Sequence, residues 1–459
     1  MKKMMKCFLS LLLVLIITSS NIATTAQAAT ITVTKFSDVR MGTNTTFFID
    51  EEKNLWGCGY NGGNLVSTKT SDETTPIFIM DHVIKVDNDE SVAVYVIKDD
   101  NTLWGWGSNF FGHINPAEGA KKYKTPVKIM DDVIDVACGS NFVLVLKKDH
   151  TVWGWGMSDY GQLGIAIYGQ YQNEPIQVAK DVKMIDAGSY HSNIIKNDGS
   201  LWSSGKNQVG QIGNGTTTNV REFVKIMDNV KYVTSDSFNT YVIDGNNNVW
   251  GWGDNNFNRV NSSNDIKITE PYFIMSDVKQ IDAGGFHCMA VKTDNTLWGW
   301  GNNSRAEIGG TQDAKEPIKV LDKVEKVSAG GVGNAALMLD HTVQVVGSNQ
   351  NGHIGLGKSN GALNHTQITI NAEKKLLIEE LKLDRKTLTM KRGDVKKLKV
   401  TLQPQNADSK SLAWKSSNSN VVSVSSNGVI TAKSKGSAVI TVYTIDGTNK
   451  KATCKVTVK

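Results

Sequence analysis

Residues 293–303 read TDNTLWGWGNN, and the core of this stretch, LWGWG, recurs along the chain with small changes. In six copies the first Trp recurs every 48 or 49 residues, at Trp56, Trp104, Trp153, Trp202, Trp250 and Trp298. Gln344 takes the same place 46 residues later, in the degenerate copy VQVVG. Seven copies with a period of about 50 residues are typical of stacked or radial modules.

A second element, V-x-x-[VI], precedes each phrase; residues 182–188, VKMIDAG, are an example. In five copies a glycine at the end of this element precedes the Trp position by 14 residues. Asp, Asn and Gly clusters before the Trp favour tight hairpins. Each unit therefore reads as four short strands, and seven such units predict an all-β protein containing a seven-bladed β-propeller.

Strand alternation places Trp104 and Trp106 on one face of their sheet, and Gly105 and Gly107 on the other. Large rings can then pack against the side-chain-free surface of the neighbouring blade. A shelf for an aromatic ligand is the alternative interpretation. Because the same residue returns in blade after blade, we expect core packing between blades.

The segment V-x-x-[VI]-x-A-G-x-x-H-S at 182–192 is followed by D-G-S-L-W and then by G-x-L/I-G turns at 161–164, 210–213 and 352–355 in their respective copies. This combination resembles the regulator of chromosome condensation repeat family over residues 31–371, and the resemblance implies a propeller of seven blades. The copies at 62–65, 112–115 and 258–261 lack the full turn motif. A propeller hosts many unrelated functions, so the activity of the family's eukaryotic namesake on chromatin and a small GTPase is not carried over.

Short alternating strands with regular turns continue from about residue 376 and predict a β-sandwich. The segments W-x-S-S-N at 414–418 and G-x-[IV]-T-A-x-x-x-G at 428–436 resemble the group 2 bacterial immunoglobulin-like domain, which implies adhesion or presentation. The predicted domains are therefore a propeller over 30–371, a linker over 372–378 and an immunoglobulin-like domain over 379–459.

The first 28 residues have the features of a secretory signal: three lysines, an apolar run over 7–17 and an A-x-A cleavage site at 26–28. The apolar run is too short to span a bilayer. We expect a secreted protein without a membrane span after cleavage, either extracellular or non-covalently associated with the cell wall. The remaining cysteines, Cys58, Cys138, Cys288 and Cys454, have no metal-ligand spacing and are expected to be isolated buried thiols.

Charge is unevenly divided along the chain. From residue 374 onward there are 18 Lys and Arg against 6 Asp and Glu, whereas residues 29–373 carry a net charge of −10. An acidic propeller without a basic stripe argues against a nucleic-acid partner. The lysines of the terminal domain could instead bind an anionic cell-wall polymer; a solvated strand face is the alternative.

Motifs for catalysis, cofactors or metals are absent from the sequence. His191 and His287 occupy the G-x-x-H position, and Cys288 follows His287. A nucleophile and base pair at 287–288 is disfavoured, because neighbouring strand residues point to opposite faces. We therefore expect structural histidines, no cofactor and a protein that is not an enzyme.

Positions that change from blade to blade are free to serve a function that the shared geometry does not demand. Two such positions precede each G-x-L/I-G turn, and longer insertions follow it in the second and third copies. Exposed aromatic residues and Arg on loops are typical of interfaces. The candidate binding residues are Phe110, Phe111, Tyr123, Tyr160, Tyr168, Tyr171, Phe257, Arg259 and Arg305.

These observations predict a secreted, non-enzymatic bacterial binding protein that recognises an extracellular protein or a cell-envelope glycan through one propeller face. The immunoglobulin-like domain would hold it at the envelope. Two alternatives remain open. One is a secreted inhibitor of an exported enzyme, similar to β-lactamase inhibitors built on these repeats. The other is a cell-wall carbohydrate-active enzyme, which would need paired carboxylates across a cleft.

Overall fold

The structure is a computed structural model. It describes residues 30–459 except 90–92, 111, 113, 115–120, 167–170, 358–360, 374–376, 406, 409, 445–447 and 449. The predicted signal over 1–28 lies outside the described residues. The described residues form β-strands, here numbered in chain order, with short 3-10 turns at Asn256–Asn258 and Gln350–Gly352.

Seven antiparallel four-stranded sheets follow one another along the described chain after β1 (Thr30–Val33). Blades 1 to 3 consist of β2 (Phe36–Met41), β3 (Thr45–Asp50), β4 (Leu55–Gly59), β5 (Glu73–Met80); β6 (Val83–Asp89), β7 (Ala93–Lys98), β8 (Leu103–Asn109), β9 (Lys121–Met130); β10 (Val133–Gly139), β11 (Phe142–Lys147), β12 (Val152–Met157) and β13 (Tyr171–Ala179). Within each sheet the spatial order is the order in the sequence.

The remaining four sheets repeat this plan. Blades 4 to 7 consist of β14 (Val182–Ala187), β15 (His191–Lys196), β16 (Leu201–Gly205), β17 (Val220–Met227); β18 (Val230–Ser235), β19 (Asn239–Asp244), β20 (Val249–Asp254), β21 (Lys267–Met275); β22 (Val278–Ala283), β23 (His287–Lys292), β24 (Leu297–Gly301), β25 (Ala314–Leu321); β26 (Val324–Ala329), β27 (Gly333–Met338), β28 (Val343–Ser348) and β29 (Gly361–Gln367).

The blades close into a ring around their first strands. Each first strand contacts the first strand of the next blade, and β26 of blade 7 contacts β2 of blade 1. The prediction of a seven-bladed β-propeller is confirmed. The ends of the ring are also joined by β1, which pairs antiparallel with β30 (Ile370–Glu373), two residues beyond the predicted propeller boundary.

The tryptophans hold neighbouring blades together. The second indole of the repeated phrase is fully buried, and its N–H donates to a backbone carbonyl in the preceding blade: Trp300 to Arg259 at 2.7 Å and Trp252 to Gln211 at 2.9 Å. The first indole bonds locally, as Trp298 does to Thr296 at 2.9 Å. The prediction of inter-blade packing is therefore confirmed.

Hairpin chemistry and cysteine state also agree with the sequence. Asn247 and Asn295 adopt φ of 67° in the turns before the Trp strands, where Gly199 has φ of 85° in blade 4. Asn tolerates this left-handed conformation better than most residues do. The four cysteines after the signal segment are free and buried, as predicted.

The C-terminal part is a β-sandwich with its own apolar core. Its strands are β31 (Glu380–Leu383), β32 (Thr387–Met390), β33 (Val395–Lys397), β34 (Val400–Gln403), β35 (Leu412–Ser416), β36 (Val422–Val424), β37 (Val429–Ala432), β38 (Gly436–Thr444) and β39 (Lys451–Val458). The largest sheet has the order β32-β39-β38-β35, and β33-β37-β36 forms another. Val422, Ile430, Ile440, Cys454 and Val456 pack between them at 0% exposure. The immunoglobulin-like prediction is confirmed.

Candidate binding face of the propeller

Two sets of turns meet at one end of the propeller. Successive strands of a blade are antiparallel, so the turn after the first strand and the turn after the third strand emerge at the same end. A single cavity at this end is lined by Gly188 and Gly284 from turns of the first set and by Arg305 and Gln350 from the second. We call this end of the propeller the turn face.

The G-x-L/I-G turn depends on a left-handed first residue. Gly161 and Gly210 have φ of 87° and 86°, and in blade 5 Asn258 has φ of 57°. Apart from glycine, Asn is one of the few residues that adopt this left-handed backbone conformation. A preceding asparagine completes the turn: Asn207 Oδ1 accepts the Ile212 amide at 2.9 Å. Blade 5 therefore keeps the turn despite its divergent sequence.

The structure places several of the predicted residues at the turn face. Phe110, Phe257 and Arg305 are exposed. Of the two phenylalanines, Phe110 has the larger exposed fraction, 67%. Tyr160 is half-buried. Tyr171 is exposed at the start of the outermost strand of blade 3 and is not among the residues that line the cavity at the turn face. That these residues bind a ligand stays a prediction.

Phe111 and Tyr168 lie outside the described residues. Two other assignments are wrong as exposed anchors. Tyr123 lies in β9 opposite Gly107 and is only 7% exposed, because its ring packs into the core of blades 1 to 3. Arg259 is 0% exposed, because its guanidinium is enclosed by buried acceptors.

Arg259 joins three turns of the face. Its Nη1 is 2.6 Å from Asp236 Oδ2 and 3.2 Å from the Gly285 carbonyl, and its Nη2 is 2.6 Å from Asp254 Oδ2. Burial alone would lower the pKa of Arg259, but Asp236 and its other neighbours raise it. Burial raises the pKa of Asp236, and Arg259 opposes that shift. The guanidinium also lies 5.7 Å from the Phe286 ring centroid. It therefore fixes the turns on which the exposed rings stand.

A second variable ring had not been singled out from the sequence. The residue immediately before the second strand of the blade differs between copies, and it is Tyr190, Phe238 and Phe286 in blades 4, 5 and 6. Phe238 and Phe286 are 38% and 46% exposed. A comparison of equivalent sequence positions in successive blades could have found these variable residues, because they recur with the same period as the Trp phrase.

The two variable rings meet in aromatic contacts between blades. Tyr160 of blade 3 lies edge-on to Tyr190 of blade 4, and Phe257 of blade 5 to Phe286 of blade 6, each with centroids 5.5 Å apart. Such arrangements are favoured by the ring quadrupoles. We call Tyr160, Tyr190, Phe238, Phe257 and Phe286 the aromatic arc. It gives blades 3 to 6 an apolar rim.

A cation stands at one end of the arc. Lys206 Nζ lies 5.3 Å from the Tyr160 centroid and 5.0 Å from the Tyr190 centroid. At these distances the two rings attract the ammonium group. The arc therefore presents an amine together with its rings.

Two cavities open beside the arc. The mouth cavity, about 470 Å³, lies on the propeller axis and includes Phe238 and Phe286 in its wall. The second, about 510 Å³, lies between blades 6 and 7 and includes Ser304 and Thr311. Arg305 and Gln350 line both cavities, so the two share part of their walls; we call the two cavities together the cleft. Ligand pockets commonly have volumes of this size.

The axis of the propeller holds a third, narrower cavity of about 190 Å³. Arg40 Nε is 3.0 Å from Asp87 Oδ1, and Arg40 Nη1 is 3.7 Å from Asp282 Oδ2. Burial raises the pKa of the nearby Asp186 to about 7. No group of His, Cys, Asp and Glu among the described residues has the geometry to hold a metal ion.

The two histidines are packing residues. His191 is buried, and its Nε2 is 3.0 Å from Thr240 Oγ1 in blade 5. A side chain at Gly284 would collide with the His287 ring, at 2.3 Å from Cε1. Burial lowers the pKa of His287 to about 3 and raises that of Cys288 to about 12. The 287–288 pair therefore lacks both an accessible thiolate and a base.

In the part of the chain that the structure describes, no helix combines the length and the apolar character needed to cross a bilayer.

A closed ring of seven blades with a turn face and an appended immunoglobulin-like sandwich defines a modular scaffold of binding or regulatory proteins. Family models agree with each part. The regulator of chromosome condensation (RCC1) repeat matches residues 133–162, 182–211 and 278–306, and a second model of this repeat matches 149–195. The bacterial Ig-like domain (group 2) matches 378–456. The chain therefore contains repeats that match the RCC1 repeat within its propeller, followed by a domain that matches the group 2 bacterial Ig-like domain.

Solved structures share the propeller fold at low identity. Human WBSCR16 is 18% identical with a TM-score of 0.62, over 72% of this chain and 95% of that chain. Yeast RCC1 (Prp20) bound to Kap60 is 16% identical with a TM-score of 0.60, over 73% and 85%. At such identities the likeness establishes the fold alone.

Two uncharacterized proteins of Clostridium acetobutylicum match short parts of the chain. One is 42% identical over 66 residues, and the other is 35% identical over 101 residues. These matches span 14% and 22% of this chain, but only 17% and 9% of the relatives' own lengths.

Proposed function

We propose that this chain is an exported, non-enzymatic binding protein whose turn face holds an extracellular protein or a cell-envelope glycan. The observation that supports this most is the aromatic arc. Phe257 and Phe286 are 44% and 46% exposed at positions where other blades carry unrelated residues. The shared blade geometry does not require these rings, and exposing them costs the isolated protein favourable burial. Occupation by a ligand would recover that free energy.

The arc is also rigid enough to serve as a binding surface. Its rings rest on one another across blade boundaries, and Arg259 fixes the turns beneath Phe238 and Phe286 through two buried carboxylates. Little conformational entropy would be lost on binding to such a pre-organised surface. Phe and Tyr on rigid supports are the residue types that contribute most at interfaces.

The immunoglobulin-like domain supports association with the envelope. From residue 374 it carries 18 Lys and Arg against 6 Asp and Glu, and many of these cations are exposed, including Lys396 and Lys397 on β33. A surface of this charge attracts anionic polymers over long range, and the attraction weakens with salt. The lysine-rich, apolar N-terminal segment supports export.

The turn face is tested with the full mature chain, residues 29–459, immobilised and incubated with envelope fractions of the producing cell. The double variant Phe257→Ala with Phe286→Ala should lose most retention of its ligand. The matched control is Leu339→Ala, since Leu339 is also 46% exposed but lies in a hairpin turn at the opposite end of the propeller. Equal retention by wild type and the double variant would refute the proposal for the turn face.

Protease and glycosidase treatment of the retained material then separates protein from glycan ligands. The envelope role of the C-terminal domain has a separate readout. Binding of the full chain to immobilised teichoic acid should fall with rising salt and with Lys396→Ala plus Lys397→Ala, while the turn-face variants leave it unchanged. Salt-independent binding would contradict this role.

A further inference from the structure

We infer that the cleft shared by blades 6 and 7 binds a carboxylated sugar, with Arg305 as the group that receives the carboxylate. This inference rests on the proposed function and specifies the ligand of the same face. The side chain of Arg305 is exposed and forms no salt bridge with any residue that the structure describes; its charge lowers the pKa of the neighbouring Glu307 against the effect of burial. It lines both the mouth cavity and the inter-blade cavity.

Arg305 is the kind of group that selects a carboxylate. Its planar fork of N–H donors can bond both oxygens of one carboxylate, which gives geometric specificity as well as affinity. The turn that carries it is fixed from within: the Arg305 amide donates to Glu307 Oε2 at 2.8 Å, and Asn303 Oδ1 accepts the Ile308 amide at 2.9 Å. Burial raises the pKa of Glu307, which lies beneath this turn. The guanidinium is thus presented to the cleft on an ordered support.

The rest of the wall favours a polyhydroxylated ligand over an acidic peptide. Around Arg305 the inter-blade cavity is lined by the hydroxyls of Ser304, Thr311 and Ser348, the amide of Gln350 and glycine backbone. Hydroxyl and amide groups can both donate and accept, so they match sugar hydroxyls in either direction. The Ser304 hydroxyl already donates to Asn302 Oδ1 at 2.8 Å and therefore serves as an acceptor. A Glu or Asp side chain from a protein would use Arg305 and leave most of these groups to water.

An apolar wall completes the match. Phe286 and Phe238 face the mouth cavity and are 46% and 38% exposed, so they offer ring surface beside the polar lining. A pyranose has an apolar C–H face that packs on an aromatic ring while its hydroxyls bond at the rim. The volumes of about 470 Å³ and 510 Å³ suit a short saccharide whose units occupy neighbouring compartments.

The test uses the full mature chain with ¹⁵N-labelled arginine. The chain contains six arginines, and the Nε–H signal of Arg305 is identified by its loss in Arg305→Gln. Glucuronate should shift the Arg305 signal at concentrations where glucose leaves it unchanged, and roughly tenfold more acetate should be needed for the same effect. In ligand-observed saturation transfer, Arg305→Gln should weaken glucuronate binding roughly tenfold, as expected for loss of a charged hydrogen-bond partner. Lys180→Ala, an exposed cation at the other end, is the matched control.

Several outcomes would overturn the inference. Equal affinity for acetate and glucuronate would show a simple anion site, and tighter binding of triglutamate than of glucuronate would favour an acidic protein segment. An unchanged Arg305 signal would show no carboxylate site. Failure here is distinct from failure of the proposed function: if Arg305→Gln retains the envelope ligand fully while Phe257→Ala with Phe286→Ala loses it, the turn face binds but its ligand is not held by Arg305.

Discussion

Replacing Arg259 by Met should destabilise the propeller by about 3–5 kcal/mol at pH 7, because it strands two buried carboxylates. Both Asp236 and Asp254 lie 2.6 Å from the guanidinium, and Arg259 itself is 0% exposed. Met nearly preserves the volume, so the change removes charge and hydrogen bonds more than packing. The expected loss is a large fraction of the stability of an ordinary domain.

Protonation of the stranded carboxylates limits how much folding stability the variant can lose. A stranded carboxylate can become protonated, which at pH 7 costs about 4 kcal/mol for an Asp whose ordinary pKa is 3.8, at about 1.4 kcal/mol per pH unit. Arg259 opposes the rise that burial causes in the pKa of Asp236, so in the variant this pKa would rise further and the folded state would bind more protons than the unfolded state above the ordinary pKa. Stability of the variant relative to wild type therefore falls as pH rises. At pH 5 the same protonation costs about 1.6 kcal/mol, so the penalty should fall to between a third and a half of its value at pH 7.

Urea unfolding followed by tryptophan fluorescence measures this, because every tryptophan except Trp414 lies in the propeller repeats. Asp236→Asn and Asp254→Asn, added to Arg259→Met, should recover most of the loss, since neutral amides need no counter-ion. Asn at 236 can still accept the amides of Phe238 and Asn239, which now bond Asp236 Oδ1 at 2.7 and 2.9 Å. A penalty under about 1 kcal/mol, or one independent of pH, would refute the reasoning.

Three further predictions concern the repeat and the buried groups. Trp300→Phe should cost about 1–3 kcal/mol in the same urea assay, because the Arg259 carbonyl loses the indole N–H at 2.7 Å and keeps only the longer bond from the Tyr241 hydroxyl at 3.4 Å. Trp298→Phe should cost less, because its half-buried indole bonds locally to Thr296. Equal costs would contradict the inter-blade role. Asp186→Asn should stabilise the protein by about 1–3 kcal/mol at pH 8 and by little at pH 4. Burial, assisted by Asp87 and Asp282 and opposed by Ser235 and Arg40, raises the pKa of Asp186 to about 7, so its ionisation opposes folding between those pH values. Stabilisation that is the same at both pH values would argue against this titration. Burial raises the pKa of the Cys288 thiol to about 12. The thiol should therefore react with a thiol reagent only as fast as the propeller opens. Rapid labelling of the folded protein would contradict the burial of Cys288.

The sequence determined the number of blades and their internal plan. The period of the Trp phrase and the constant distance from the preceding glycine fix four strands per unit, because each side chain recurs in the same local environment. The same reasoning predicted that Trp252 and Trp300 pack between blades, and it located the turns that bear Phe257 and Arg305. These features recur in blade after blade, so they can be predicted from the spacing and type of the residues.

Only the tertiary structure decided which variable side chains reach solvent. Arg259 stands in a variable turn, yet two carboxylates of its own blade, 23 and 5 residues before it in the chain, enclose it. Tyr123 follows an insertion, yet its strand register places it opposite Gly107. Likewise, Tyr190 and Phe286 join Tyr160 and Phe257 only because adjacent blades bring separate turns together. Exposure therefore depends on strand register and turn contacts within a blade as well as on contacts between blades about 50 residues apart in the chain. A repeat pattern predicts which backbone positions meet, but not which side chains fill them.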